Sequence, residues 1–440
     1  MSASTRTANQ VDWRTGVWRA GESHERPQAA GGLLSPEARS PEEQQRARAL
    51  RITIAADWAP LRSYGAMMAA GGAAIFGDLV PHLAISDLNI VNVETTLGDK
   101  GAPIPKGGPN LRGGEDTVRS LVEAPFHVAC LANNHTVDFG PAGLENTIAV
   151  LQRAGLKTVG AGMTEGEAAK PLEIEVRGVR VGVINCAEGE ECRSVGGGPG
   201  VYGLDVHVAA RQIAELRSRC DVVLVIFHGG REHTPLPPPY VVRDLRRLAE
   251  AGASAVIAHH PHVPQGIEIH SGVPIAYSLG NFAFWQENDL FFRHSGYMVA
   301  LDIAGGRVER LEVIPYLIEE QGLRAMPGPV RASFFKELEA VSQALADPSL
   351  VDGAWDAFVD RYGLRGLAAQ LERELKLLET EPVRAAARLK NLFFTPAHSE
   401  LFINGLRRAV EGRLGQAPAR AKELVERWLT LTYKEMVGEE

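Results

Sequence analysis

The chain has 440 residues, 45% of them hydrophobic and 23% charged, with a formal net charge of −8. That composition excludes wholesale disorder and a fibrous protein, and the acidic balance excludes a chain-wide basic footprint for nucleic acid. No uninterrupted apolar run reaches membrane-span length, and MSASTRTANQVDW lacks the apolar core of a secretory signal. The expectation is a cytoplasmic protein with no membrane insertion and no nucleic-acid partner. Cys130, Cys186, Cys192 and Cys220 form no CxxC pair, so reduced thiols are expected and a thiolate-rich zinc site is not.

Residues 1–50 read as an irregular N-terminal arm, helical in PEEQQRARAL, with Trp13 and Trp18 its large aromatics. Residues 51–325 read as an α/β domain. Its short β-branched runs are RITIAAD, LNIVNVET, HVACLANN, VRVGVINCAE, DVVLVIFHGG, ASAVIAHH and PIAYSLGN. Nearly continuous apolar runs of that length are strands buried on both faces. Between them, Leu144, Ile148 and Leu151 fall at helical spacing before Gly155, and Val242, Leu245 and Leu248 before Gly252. LEIEVRGVRVGVI reads as a hairpin, so a mixed sheet is expected.

Past Pro327-Gly328-Pro329 the strand signals stop, and residues 326–440 read as a helical region. Phe335, Leu338, Val341 and Leu345 form one stripe. Leu367, Leu371, Leu375 and Leu378 form a second. Thr395-Pro396 reads as an N-cap with Pro at the first helical position, and VERWLTLTYKEM as a last helix.

The polar residues gather where α/β sheets place their ligands, at the C-terminal ends of strands. Asp57, Asn92 and Glu94, then Asn133, Asn134, His135 and Asp138, then His228 and Glu232, then His259, His260 and His262, then Asn281 each follow such a run. One strand-end Asp or Asn is ordinarily a turn residue; six consecutive strand ends so equipped need another reason. Imidazoles with carboxylate and amide oxygens suit zinc, manganese, iron and related divalent ions. His260 and His262, two residues apart, share one side of the chain.

The runs SDLNIVNVETTL, LANNHTVDFG, HGGREHTPLPPPY and AHHPHVPQGIEIHSGVPIAYSLGNFAF, in this order, resemble the CapA family of capsule and poly-γ-glutamate synthesis proteins. The resemblance covers residues 51 to about 320. It implies a metallophosphatase-like (calcineurin-type) four-layer αββα sandwich, here with an added C-terminal helical region. It also implies a site holding one or two divalent ions (Mn, Zn, Fe, Co or Ca). Asp57 would be the first ligand and Glu94 the bridging carboxylate. Asn134, His228, His260 and His262 would complete the set. His135 would be the acid/base, and Asn92, Asn133, Glu232 and Asn281 would shape the substrate pocket. Two positions depart from the family pattern: Ala59 stands where an imidazole is expected, and His228-Gly229-Gly230 replaces His-Trp-Gly, opening the pocket wall.

The resemblance implies a metal-dependent enzyme acting on a peptide or polyglutamate-type substrate. Its sharpest form is a Cα epimerase of the lasso-peptide tailoring kind, with His294 in FFRHSGY as the second acid/base beside His135 and Asp57. A phosphoesterase or other hydrolase is the first alternative, and a non-catalytic capsule accessory protein the second. A homo-oligomer is left open.

Overall fold

Two mixed β-sheets carry the site between them in the computed structural model, which describes residues 10–20, 49–189 and 197–438. Across the first, eight-stranded sheet run Val17–Arg19, Arg307–Glu319, Ser295–Ala304, Leu50–Trp58, Leu88–Val93, Val128–Cys130 and Lys157–Val159, with Gly322–Ala325 also paired to Arg307–Glu319. The second sheet orders Ile267–His270, Val273–Ala276, Ala255–His259, Val222–His228, Val179–Ala187 and Leu172–Val176. Leu50–Trp58, Leu88–Val93 and Val128–Cys130 are mutually parallel, as are Val179–Ala187, Val222–His228 and Ala255–His259. The expected hairpin is present, with Leu172–Val176 antiparallel to Val179–Ala187.

Strands such as Val222–His228 are buried along their whole length, because sheet and helix cover both faces. One apolar core joins Ile52, Ile54 and Val91 of the first sheet to Val183, Val225 and Ile257 of the second. The helices Gly140–Arg153, Val206–Arg217 and Pro239–Glu250 lie outside the sheets. Two of them stop as their sequence predicts, at Gly155 (φ 90°) and Gly252 (φ 108°), where a side chain would be strained. This is the layered α/β sandwich expected from the resemblance, with helices added at the C-terminus.

The arm differs from its expectation. Val17–Arg19 is an edge strand that places Trp18 opposite Leu311, and Trp18 is buried. Trp13 meets the ring of Phe335, centroids 6.2 Å apart. Two indoles bury enough apolar surface to hold this short segment down. The helix expected in PEEQQRARAL lies, but for its last two residues, outside the described residues. So does Cys192; the other three cysteines are free thiols, with Cys186 pushed up to about 12 by burial.

Arg62–Ala84 is long and apolar enough, by length and composition, to cross a membrane. It is three pieces rather than one helix: Arg62–Gly71, a 3-10 segment Gly72–Leu79 interrupted at Gly77 (φ 48°), and Val80–Ala84. Tyr64, Met68, Phe76 and Leu83 are buried in the core, and Phe76 stacks on Phe282.

Six helices follow residue 327: Gly328–Ala344, Pro348–Leu377, Pro382–Phe394, Pro396–Val410, Ala419–Thr430 and Tyr433–Val437. The first stripe is buried as expected. The second is not: Leu367 is buried, but Leu375 is 56% and Leu378 38% exposed. Gly363 (φ 59°) breaks the long helix and redirects its second half. Thr395 precedes the helix as expected, yet its hydroxyl donates to Asn391 Oδ1 instead of capping. The helices dock firmly on the sandwich. Trp428 stacks on Phe292 at 3.6 Å and donates to the Pro264 carbonyl, and Glu188 accepts from the backbone N–H of Ala397 at 3.1 Å and of Gly230 at 2.8 Å.

Candidate metal centre

Parallel strands in register bring the strand-end residues to one place. Asp57 lies beside Asn92 across one strand pair, and His228 beside His259 across another. Asn281 forms a lone bridge with Asp57, closing the gap between the two groups. The turn after Ala255–His259 is strained: His260 has φ 100° and His262 φ 55°, and neighbouring His233 has φ 65°. Non-glycine residues rarely adopt such backbone, and where they do the surroundings enforce it, commonly at functional sites.

Donor atoms converge on His228. Its Nε2 lies 2.9 Å from Asn134 Oδ1, 3.2 Å from His260 Nδ1 and 3.5 Å from Glu94 Oε1. Ligands held about 2.0–2.1 Å from one zinc-like ion stand roughly 3.0–3.4 Å apart. Measured to His228, three side chains stand at or near that spacing; donor atoms of Glu94, His228 and His260 all lie within 4.8 Å of one another, and Asn134 Oδ1 joins them at His228. A second set, Asp57, Glu94 and His262, shares Glu94 with the first. It is looser. His262 turns Nδ1 toward Asp57 Oδ2 at 3.8 Å and Nε2 toward Glu94 Oε1 at 3.7 Å, while Nδ1 also meets Asn281 Oδ1 at 2.8 Å. No imidazole comes from position 59, where Ala59 is fully buried. Glu232 forms a third group with His260 and His262.

The donor chemistry fits a divalent ion. Asp57 is wholly buried; its Oδ1 accepts from Asn92 Nδ2 at 2.8 Å, but its Oδ2 has no hydrogen-bond donor. A buried carboxylate oxygen without a donor is costly unless a cation compensates it. Burial, then the neighbouring imidazoles, holds His228 well below its ordinary value. Burial, partly opposed by Glu232, pushes His260 down to about 3. Both rings are thus neutral and present lone pairs, the form that ligates metals. Burial raises Glu232, but the neighbouring imidazoles and the Arg231 guanidinium outweigh it and hold the carboxylate below its ordinary range; with His260 neutral, the standing positive charge beside it is that of Arg231.

His135 stands beside Asn134 with its own support. Its Nδ1 lies 2.7 Å from Asp138 Oδ2, and its backbone N–H donates to Asn133 Oδ1 at 3.0 Å. Lys106, buried, donates to Asp138 Oδ1 at 2.8 Å and to the Asn134 carbonyl at 2.6 Å. Burial and the Lys106 charge lower His135 to about 4, against the pull of Asp138. Asn133 in turn donates to Asn92 Oδ1 at 3.2 Å and to the Val93 carbonyl at 2.8 Å.

The structure brings together Asp57, Asn92, Glu94, Asn133, Asn134, His135, His228, Glu232, His260, His262 and Asn281. His294 stands apart, a correction to its expected role. Its Nε2 lies 2.6 Å from the Asn288 carbonyl and its Nδ1 3.1 Å from the Ile318 carbonyl, so the ring sits between loop and strand and a ring N–H donates to one of these carbonyls. The expected opening at Gly229 is also corrected. A Cβ there would lie 2.5 Å from Glu188 Cβ and from the Phe227 ring, so the space an indole would need is already filled.

One participant escapes the sequence reading: Lys106, in a proline-rich loop with no strand-end signal. Asp138 and His259 stand among the strand-end residues of the sequence but carry no role there. Neither ring nitrogen of His259 is hydrogen bonded, and its Nδ1 lies 3.6 Å from Asp57 Oδ1.

The chain was also compared with known proteins. The chain is 30% identical to the capsule biosynthesis protein CapA of Bacillus anthracis over 275 residues, 60% of this chain and 64% of that protein. It is 29% identical to the PGA biosynthesis protein CapA of Bacillus subtilis over 252 residues, 56% of this chain and 63% of that one. The chain thus spans just under two thirds of each Bacillus relative. A probable polyglutamine synthesis accessory protein of Mycobacterium tuberculosis is 30% identical over 264 residues, 54% of this chain and 68% of that protein. Among solved structures, TT1561 of Thermus thermophilus superposes with a TM-score of 0.35 at 14% identity, covering 60% of this chain and 98% of its own. The bacterial capsule synthesis protein model, PGA_cap, matches residues 39–286, more than half of the chain, and the protein belongs to that family.

Proposed function

We propose that this protein is a divalent-metal-dependent enzyme acting on an amide- or γ-glutamyl-linked chain of the peptide or polyglutamate kind. The observation that carries the reading is the convergence of Asn134, His260 and Glu94 on His228 at 2.9–3.5 Å, next to a supported His135. Glu94, Asn134, His228 and His260 would hold one ion, and Asp57, Glu94 and His262 a second, weaker one. Such an ion polarises a substrate oxygen and acidifies bound water or a neighbouring C–H. His135 directs its Nδ1 proton at Asp138, which leaves Nε2 as the lone pair that takes or returns a proton. Lys106 pairs with Asp138 and holds it in place to fix that tautomer. Asn133 sets the loop that carries both Asn134 and His135.

The relatives' names, PGA biosynthesis protein, capsule biosynthesis protein and probable polyglutamine synthesis accessory protein, support a polymer chain of the glutamate or glutamine kind as substrate. Hydrolysis or transfer at a carbonyl needs one acid/base, and His135 supplies it. Cα epimerisation needs a second on the opposite face, and the carbonyls beside both His294 nitrogens favour the one-base reading. Phosphoester hydrolysis by two ions is disfavoured by the imidazole absent at Ala59.

Metal content of the purified chain, beside a His260→Ala/His262→Ala double variant, tests the reading. One or two equivalents in the parent and none in the variant are expected. A parent that stays metal-free after reloading with manganese, zinc and iron overturns it.

A further inference from the structure

We infer that the C-terminal helices complete an oxyanion pocket at the mouth of the metal centre, which takes a carboxylate of the substrate chain. This inference deepens the proposed function and rests on it for the identity of the chain.

The cavity measures 300 Å³ and is lined by Arg231, Arg293 and Arg361, the rings of Phe358 and Tyr362, and Glu232. Glu232 links it to the site, because it also groups with His260 and His262. Among the described residues, neither Arg231 nor Arg293 forms an ion pair, and the Arg293 guanidinium donates no hydrogen bond. Arg231 is held by neutral partners. It reaches His398 Nδ1 at 2.8 Å and donates to Tyr362 Oη at 3.2 Å, lies over the Phe358 ring at 5.7 Å, and leaves its buried Nε with no acceptor. Arg361 is paired with Glu426.

Glu232 is the carboxylate that faces both half-buried guanidinium groups, beyond ion-pair distance of either, so two cations stand against one anion in the pocket and positive charge is in excess. Burying a charge is costly unless an opposite charge meets it. The planar fork of Arg matches a carboxylate in two-point contact. The aromatic walls would take the methylene stem of a glutamate-like residue, or a ring. Only Arg231 and its neighbours come from the family-matched segment. Arg293 precedes the strand Ser295–Ala304, and Phe358, Arg361 and Tyr362 end the first half of Pro348–Leu377, just before the break at Gly363. The pocket is therefore completed by the part of the chain that lies outside the family match.

The test is fluorescence anisotropy of a dye-labelled γ-linked tetraglutamate against the full-length chain, with metal content measured on every sample. Arg293→Gln and Arg231→Gln should each weaken binding by about tenfold or more with metal unchanged. Arg293→Lys should retain part of it, and neutral tetraglutamine should bind weakly. Binding within twofold of the parent in both Gln variants overturns the pocket. So does a metal-loaded parent that fails to bind tetraglutamate, while leaving the metal reading intact. A metal-free parent that still binds with arginine dependence supports the pocket and removes the enzyme reading, so the two fail separately. Inorganic phosphate that displaces the peptide at equal concentration would mark the site as one for small oxyanions and overturn the peptide assignment.

Discussion

The two halves of the candidate metal centre share Glu94 and little else. Around His228 three donors, from Asn134, His260 and Glu94, stand 2.9–3.5 Å from its Nε2. Around His262 the carboxylates of Asp57 and Glu94 face different ring nitrogens, and position 59 offers a methyl group. The difference teaches that a shared scaffold does not make two equal sites. Strand register delivers side chains to both halves, and one missing imidazole leaves the second dependent on whatever water, substrate or neighbour fills the gap.

The largest test of that asymmetry is Glu94→Gln. Removing the shared charge should cost both halves, with metal content near zero and turnover down by a factor of about a hundred or more, a large effect typical of ligand loss. His228→Ala against His262→Ala should then separate them: the first should lose the tight ion, the second should retain it, as titration with cobalt followed by absorbance would report. Equal losses would break the comparison. Lys106→Met leaves Asp138 buried beside His135 without its cation, and a penalty of about 3–5 kcal/mol is expected in denaturant unfolding. Ala59→His should raise metal from one equivalent toward two. Its own packing cost, about 1–3 kcal/mol for an enlarged buried side chain, should appear as a lower melting temperature in metal-free protein.

A further expected effect is one of pH. Burial, then Arg231, lowers His398 to about 4, with Glu232 opposing. The unfolded chain takes up that proton near 6.5 and the folded chain only near 4, so stability is lost as pH falls through this window. His398→Gln should flatten that part of the melting curve.

Much of the site was legible because strand ends are. An apolar run followed by Asp, Asn or His places that residue at a sheet edge, and parallel register does the rest, as with His228 and His259. What joins from elsewhere was not legible. Lys106 reaches Asp138 through a loop closure that no periodicity encodes. His294 looked available from chain position alone, yet its ring sits between two carbonyls. The helical stripe at Leu375 and Leu378 had the right spacing, but Gly363 turned it outward. Trp18 belonged to an edge strand whose partner lies about 290 residues further along the chain.

That distance matters for how the protein is made. The strand bearing Asp57 gains its antiparallel neighbour only when Ser295–Ala304 arrives, outside the family-matched segment. At roughly 5–20 residues per second, the interval during synthesis is on the order of ten to fifty seconds. Through that interval the growing sheet has an open, apolar edge, the kind that pairs with other chains. Slower, cooler expression and a chaperone at the ribosome exit should therefore decide yield, and a gene fragment ending at residue 286 should give insoluble product however complete its set of metal ligands.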